Sequence, residues 1–253
     1  MRKHVLLFIM RRLLAIFAIV CAVFATASAR KETYRLQVGQ FDKLSVYDNV
    51  PVVYHANSDS TGYVVYLANE DLADVLIFNN TKGNLKVQIA TEKIQDVKDL
   101  PIVHVYSDYL TSVENSSELS VKILSNNSVP RFTARLMGNG EIVADNIKAG
   151  EIEAQFMTGN GVIALSGNCD KAVYKMVGTG TIQADELKAN NVKCKILGSG
   201  CIGCWADNRL DVRGLGSTKI YYKGTPTVKK VGGGKLFPLN KEIAEETSEG
   251  QLR

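Results

Sequence analysis

The 253 residues carry 30 basic and 26 acidic side chains, for a formal net charge of +4, and Arg2, Lys3, Arg11 and Arg12 of the N-terminal leader account for that whole excess. The remainder is neutral, which argues against nucleic-acid binding driven by overall charge and leaves a chain long enough for one elongated domain or two small ones. Only three histidines are present, so imidazole-dependent catalysis and multi-histidine metal centres have little to draw on.

Residues 1–29 read as an export signal. The four basic residues form its positive end, Leu13 to Phe24 is the apolar stretch, and Ala27-Ser28-Ala29 is a small-residue cleavage site that places the mature N-terminus at Arg30. The apolar stretch is shorter than the ~20 residues a membrane span needs, and no later segment approaches that length, so no transmembrane segment is expected after cleavage. Cys21 follows Val20, where a lipid-modified cysteine would need a small residue before it.

Residues 30–109 read as short strands separated by turns. Leu44-Ser45-Val46-Tyr47, Val50-Pro51-Val52-Val53-Tyr54, Tyr63-Val64-Val65-Tyr66, Val75-Leu76-Ile77-Phe78, Leu85-Lys86-Val87-Gln88-Ile89 and Ile102-Val103-His104-Val105-Tyr106 are β-branched or aromatic enough for strand. Asn57-Ser58-Asp59-Ser60 and Asn79-Asn80-Thr81-Lys82-Gly83-Asn84 are turn clusters. Glu70 to Ala73 fits one short helical turn. His104 lies in an alternating strand, and His55 is placed at a turn.

From residue 110 to 238 a repeat takes over. Gly138-Asn139-Gly140, Gly159-Asn160-Gly161, Gly178-Thr179-Gly180 and Gly198-Ser199-Gly200 recur about every twenty residues, with a worn copy at Gly214-Leu215-Gly216 and another at Gly232-Gly233-Gly234. Counted from the first glycine, Leu136, Met176, Ile196 and Val212 stand two before, and Ala134, Tyr174, Cys194 and Leu210 four before. Ile142, Ile163, Ile182 and Ile202 stand four after, and Ala144, Leu165, Ala184 and Cys204 six after. Apolar positions alternating with polar ones inside a twenty-residue period describe the coils of a parallel β-helix, each about 4.8 Å above the last. The expected fold class is therefore all-β, a single-domain solenoid. Glycine at the corners is read as tolerance of positive φ, and Asn139, Asn160, Thr179 and Ser199 as a polar ladder. The second copy has one extra residue, so Ala154 and Phe156 reach the core only through a bulge. An earlier coil fits around Asn115-Ser116-Ser117, and Pro226 is expected to limit further pairing. Residues 239–253 read as a charged flexible tail.

Few constellations carry chemistry. Three residues before the glycine, the outward column holds Arg135, Lys175, Lys195 and then Asp211, with Gln155 nearby; the three basic residues are the candidate ligand face, suited to an anionic glycan, and the plain alternative is a solvated strand face. Cys194 and Cys204 fall in core columns. Cys169 and Cys201 are left as a disulfide or free thiols, with Cys201 facing outward. Asp145 and Asp185 share a column but are separated by Ser166 and Trp205, which opposes a stacked calcium site. No catalytic residue, metal or cofactor is expected.

The strands around Phe41-Asp42-Lys43-Leu44 and Val50-Pro51-Val52-Val53, the Gly-x-Gly-x-Ile coils and Tyr222-Lys223-Gly224-Thr225-Pro226 resemble the head GIN domain, also called DUF2807 or the auto-transporter adhesin head domain, over roughly residues 35–236. Asn115-Ser116-Ser117 departs from the family, which often keeps a glycine there. The resemblance implies a β-helical protein exported from a Gram-negative, Bacteroidetes-type bacterium, in the periplasm or on the outer surface, and it brings no catalytic residues. The expected function is a non-catalytic, adhesin-like scaffold that contacts a glycan or protein partner at the envelope. The alternatives are a polysaccharide-lyase-like enzyme using Lys175 and Lys195, and a periplasmic sensing or assembly accessory. Open solenoid ends favour caps or homo-oligomers.

Overall fold

The computed structural model describes residues 31–90 and 100–239. The export signal expected at residues 1–29, and the expected tail from residue 240 onward, lie outside the described residues. The described elements are β1 (Glu32–Gln37), β2 (Lys43–Val46), β3 (Val52–Ala56), β4 (Tyr63–Ala68), α1 (Glu70–Ala73), β5 (Leu76–Thr81), β6 (Asn84–Ile89), β7 (Val103–Ser107), β8 (Ser112–Asn115), β9 (Ser120–Ile123), β10 (Val129–Met137), β11 (Glu141–Thr158), β12 (Val162–Met176), β13 (Thr181–Ile196), β14 (Cys201–Gly214), β15 (Lys219–Lys223), β16 (Thr227–Gly232) and β17 (Lys235–Pro238). They form a β-solenoid of about six turns.

Strands β11 to β14 are 14 to 18 residues long, because each runs from one glycine corner to the next. They stack in parallel register, β10 to β11 to β12 to β13 to β14. The two halves of β14 then carry β15 and β16, and β15 carries β17. The ladder thus continues past Pro226.

Below this stack, β8 and β9 pair with β2 and β3, which pair in turn with β6 and β7, all in parallel. The base then changes character. β5 and β6 form an antiparallel hairpin, and β4 lies antiparallel between β1 and β7. The hairpin turn is Lys82-Gly83, both at positive φ, as a two-residue turn with the twist of its strands requires. The N-terminal part is therefore two short parallel coils closed by antiparallel strands. Antiparallel capping covers backbone groups that a bare coil would expose.

The core is one continuous cluster. Ile142, Ile163, Ile182, Ile202 and Ile220 stack in one column, each fully buried. Burying such a side chain contributes about 1.5–3 kcal/mol. Ala154 and Phe156 do reach the core, paired with Ala134 and Leu136, because a bulge at Met157 absorbs the extra residue. At the first corner Asn115 occupies a core column. Its Nδ2 donates to the carbonyls of Leu119 and Glu141 (2.8 and 2.9 Å), and its Oδ1 accepts from the Ser117 backbone N–H and hydroxyl (2.9 and 2.8 Å).

Two expectations about the coils are corrected. Lys195 pairs with Arg213 and Ile196 with Gly214, so Gly216 stacks above Gly198 and the last copy sits two residues from its expected register. Val212 therefore stacks on Cys194, and Leu210 on Val192. Both still face inward, since a two-residue shift preserves alternation. The corner glycines also have a different cause. Gly138 and Gly159 take positive φ, whereas Gly140, Gly161, Gly178, Gly180, Gly198 and Gly200 do not. A Cβ at Gly161, Gly180 or Gly200 would overlap the carbonyl oxygen of the glycine one coil below. Close approach between coils, rather than handedness, requires glycine there. The corner ladder is not between side chains, because each of its bonds has a backbone partner. Asn160 N–H donates to Asn139 Oδ1 (3.0 Å) and Thr179 Oγ1 to the Gly159 carbonyl (3.0 Å), while Ser199 uses its backbone N–H toward Gly178 (3.4 Å).

Candidate functional site

The strand segments that precede the glycine corners make one long sheet face. Phe132, Ala134 and Leu136 point inward, so Arg131, Thr133 and Arg135 point outward. The register builds three outward columns: Arg131–Glu151–Lys171–Asn191–Arg209–Thr227, Thr133–Glu153–Val173–Lys193–Asp211–Lys229 and Arg135–Gln155–Lys175–Lys195–Arg213–Val231. The face thus has nine basic residues against Glu151, Glu153 and Asp211, although residues 30–253 carry equal numbers of basic and acidic side chains.

Arg135, Lys175 and Lys195 are brought into one column, with Gln155 between the first two. Asp211 belongs to the neighbouring column, and Arg213 takes the place expected for it. The reading from spacing alone also missed Arg131, Lys171, Lys193, Arg209 and Lys229; the available signal was that Arg131, Lys171 and Arg209 stand four residues before Arg135, Lys175 and Arg213, and Lys193 two before Lys195.

An acidic partner accompanies the basic column. Glu153 lies in the sheet face with its side chain 5% exposed; Lys175 pairs with Oε1 and Arg131 with Oε2. Burial alone raises the Glu153 carboxyl, but hydrogen bonds from Lys175 and Arg131 outweigh it and hold the group below the ordinary carboxylate range. Glu151 pairs with Lys171 (2.8 Å) and Arg131 (3.5 Å). Asp211 accepts two bonds from Arg209 (2.9 and 3.1 Å), which lowers its pKa. Among the described residues Arg135, Lys193, Lys195, Arg213 and Lys229 have no salt bridge.

A groove of about 580 Å³ runs beside this face, with Lys148, Asn168 and Lys188 on one bank and Gly150, Asp170, Asn190 and Asp207 on the other. Lys188 and Asp207 pair across its upper end (3.5 Å). Cys169 lies in its floor, buried, and burial pushes its thiol up to about 12, with Asp170 adding to the rise. Cys201 is half-buried and stands in a different column, between Thr181 and Lys219. All four cysteines of the described residues are free thiols, and Cys194 and Cys204 are buried in the core.

Beyond the corners lies a flatter, weakly polar face with the column Val143–Ala164–Gln183–Gly203–Tyr221–Phe237. Tyr221 and Phe237 stack there at 5.1 Å. At the base of the same side, His55 lies in β3 and not at a turn. Its Nε2 is 3.0 Å from His104 Nδ1, and its ring stacks on Tyr106 at 4.8 Å. Burial, then His104, lowers the His55 pKa. Sequence reading kept these two histidines apart, and the parallel pairing of β3 with β7 joins them. Among the described residues no group of three ligands suited to a metal is present. Asp145 accepts from Ser166 (3.1 Å), and Asp185 pairs with Lys223 (3.1 Å), so those carboxylates do not converge.

Residues 40–226 match the family model described as "Putative auto-transporter adhesin, head GIN domain". No curated protein sequence is significantly similar. Among solved structures, the chain is similar to a "putative adhesin" from Bacteroides fragilis NCTC 9343 (21% identity, TM-score 0.69, covering 83% of this chain and 96% of that one). It is also similar to a "putative lipid binding protein" from Parabacteroides distasonis ATCC 8503 (20%, 0.65, 84% and 98%) and a "putative adhesin" from Parabacteroides merdae ATCC 43184 (18%, 0.59, 84% and 98%). At these identities the likeness concerns the fold.

Proposed function

The chain belongs to the auto-transporter adhesin head GIN domain family, and from that premise we propose that it is a non-catalytic, exported binding scaffold whose working surface is the basic sheet face. The partner carries negative charge and is met at the cell envelope. The observation that carries this reading is the segregation of charge. Nine basic side chains collect on one face, although residues 30–253 are balanced as a whole. Scattered surface charge needs no ligand, but several unpaired cations in register raise the local potential and attract polyanions. The position of Glu153 weighs against a lyase-type mechanism at Lys175. Both of its oxygens are held by cations and its side chain is almost fully covered, so it is poorly placed to take a proton from a ligand.

Purified residues 30–253 on a glycan array, at low and high salt, test the reading. Salt-sensitive retention on acidic glycans is expected, with loss in the combined Arg135→Gln, Lys175→Gln, Lys195→Gln variant. Identical behaviour of wild type and variant, or turnover of any polysaccharide by the wild type, would overturn it.

A further inference from the structure

The basic face is anisotropic. Along the strands no segment of the face offers more than two cations: β10, β12 and β13 carry two each, β11 contributes Glu151 and Glu153 and no cation, and on β14 Asp211 stands between Arg209 and Arg213. Along the solenoid axis the column Arg135–Gln155–Lys175–Lys195–Arg213 contains no carboxylate over five successive rungs. It is bounded by Glu114 below and Val231 above. Rungs about 4.8 Å apart make this column about 19 Å long.

The face also lacks two features that other polyanions use. None of its three columns contains an aromatic side chain, so bases of a single strand have nothing to stack on. It is a flat sheet and offers no element to enter a duplex groove. Asn191 and Thr133 do supply neutral donors and acceptors among the cations, which suits hydroxyl-rich chains, while Gln155 is almost fully covered.

We propose that this face binds a linear acidic polysaccharide, carboxylated or sulfated, laid parallel to the solenoid axis over the column from Arg135 to Arg213. A chain in this direction meets a cation on four of the five rungs, whereas one laid along a single strand meets at most two cations, and on β11 and β14 carboxylates as well. Lys193, beside the column, adds a second cation at the rung of Lys195. The proposal rests on the anionic-partner reading above and narrows it to one class of polymer and one orientation.

Galacturonic acid, oligogalacturonates of rising length and polygalacturonate are titrated against residues 30–253 by calorimetry at low and high salt. Vesicles containing phosphatidylglycerol serve as the non-polysaccharide anion. Affinity is expected to climb with oligomer length until the column is spanned and then to level off. Lys195→Gln and Arg213→Gln, on different rungs and exposed enough to leave folding intact, are each expected to weaken the long oligomers by up to about tenfold, as loss of a charge-assisted contact implies. An affinity that ignores length, or a loss confined to one rung, overturns the axial chain. If the vesicles still bind in a manner that these variants weaken, the broader anionic-partner reading survives that result. Absence of any binding that depends on this face overturns both.

Discussion

Glu153 shows how one side chain divides the basic face. It pairs with Arg131 and Lys175, while among the described residues Arg135, Lys193, Lys195, Arg213 and Lys229 have no salt bridge. Its carboxyl is held below the ordinary range, so the pairing stabilises the fold above the unfolded carboxyl value of about 4.3 and is lost as pH falls through the lower folded value. Glu153→Gln should therefore cost about 1–2 kcal/mol near neutral pH, and the gap from wild type should close in acid. Urea unfolding at both pH values checks this, and a gap independent of pH would contradict it. The same substitution should tighten binding of a polyanion, because two cations are released. A change that weakens the fold and strengthens the ligand contact separates the two roles of that residue. Glu153 was hidden in the sequence, since the extra residue of its coil obscured which column it joins.

At the scale of the strand and corner, the glycines differ in kind. A Cβ at Gly180 would overlap the Phe156 ring and the Gly161 carbonyl. A Cβ at Gly203, within β14 and pointing outward, would have Asp185 Oδ1 as its nearest neighbour at 3.3 Å, the mobile end of a side chain. Gly180→Ala should cost about 2–3 kcal/mol through overpacking. Gly203→Ala should be neutral or stabilise by about 0.5 kcal/mol, since glycine inside a strand carries an entropic penalty. Thermal melts of the two variants decide the matter, and equal losses would refute the close-approach account. The spacing of these glycines was legible from the sequence. Their reason was not, because the clashing atom belongs to another coil.

Across the whole molecule, the two ends are unequal. Antiparallel β1, β4 and β5 close the base, whereas at the top β16 pairs with β14 alone and all six of its residues are exposed. Lys229 and Lys230 on that open strand discourage edge-to-edge association. In a solenoid each coil is held by its neighbours, so a coil with one neighbour opens most easily. Amides of β16 and β17 should exchange about a hundredfold or more faster than those of β12 and β13. Uniform protection along the stack would mean that the solenoid opens only as a unit.

Local alternation and the twenty-residue period determined the fold class, the inward columns and the three residues Arg135, Lys175 and Lys195, because the facing of a side chain depends only on its neighbours along the strand. Even the two-residue slip at the last copy left Val212 and Leu210 correctly buried. Tertiary structure alone decided which outward residue stands above which: Arg213 in place of Asp211, Glu153 beside Lys175, His55 against His104. Those contacts depend on the length of each coil and on bulges that hydrogen bonding between coils absorbs, and a single strand holds no record of them.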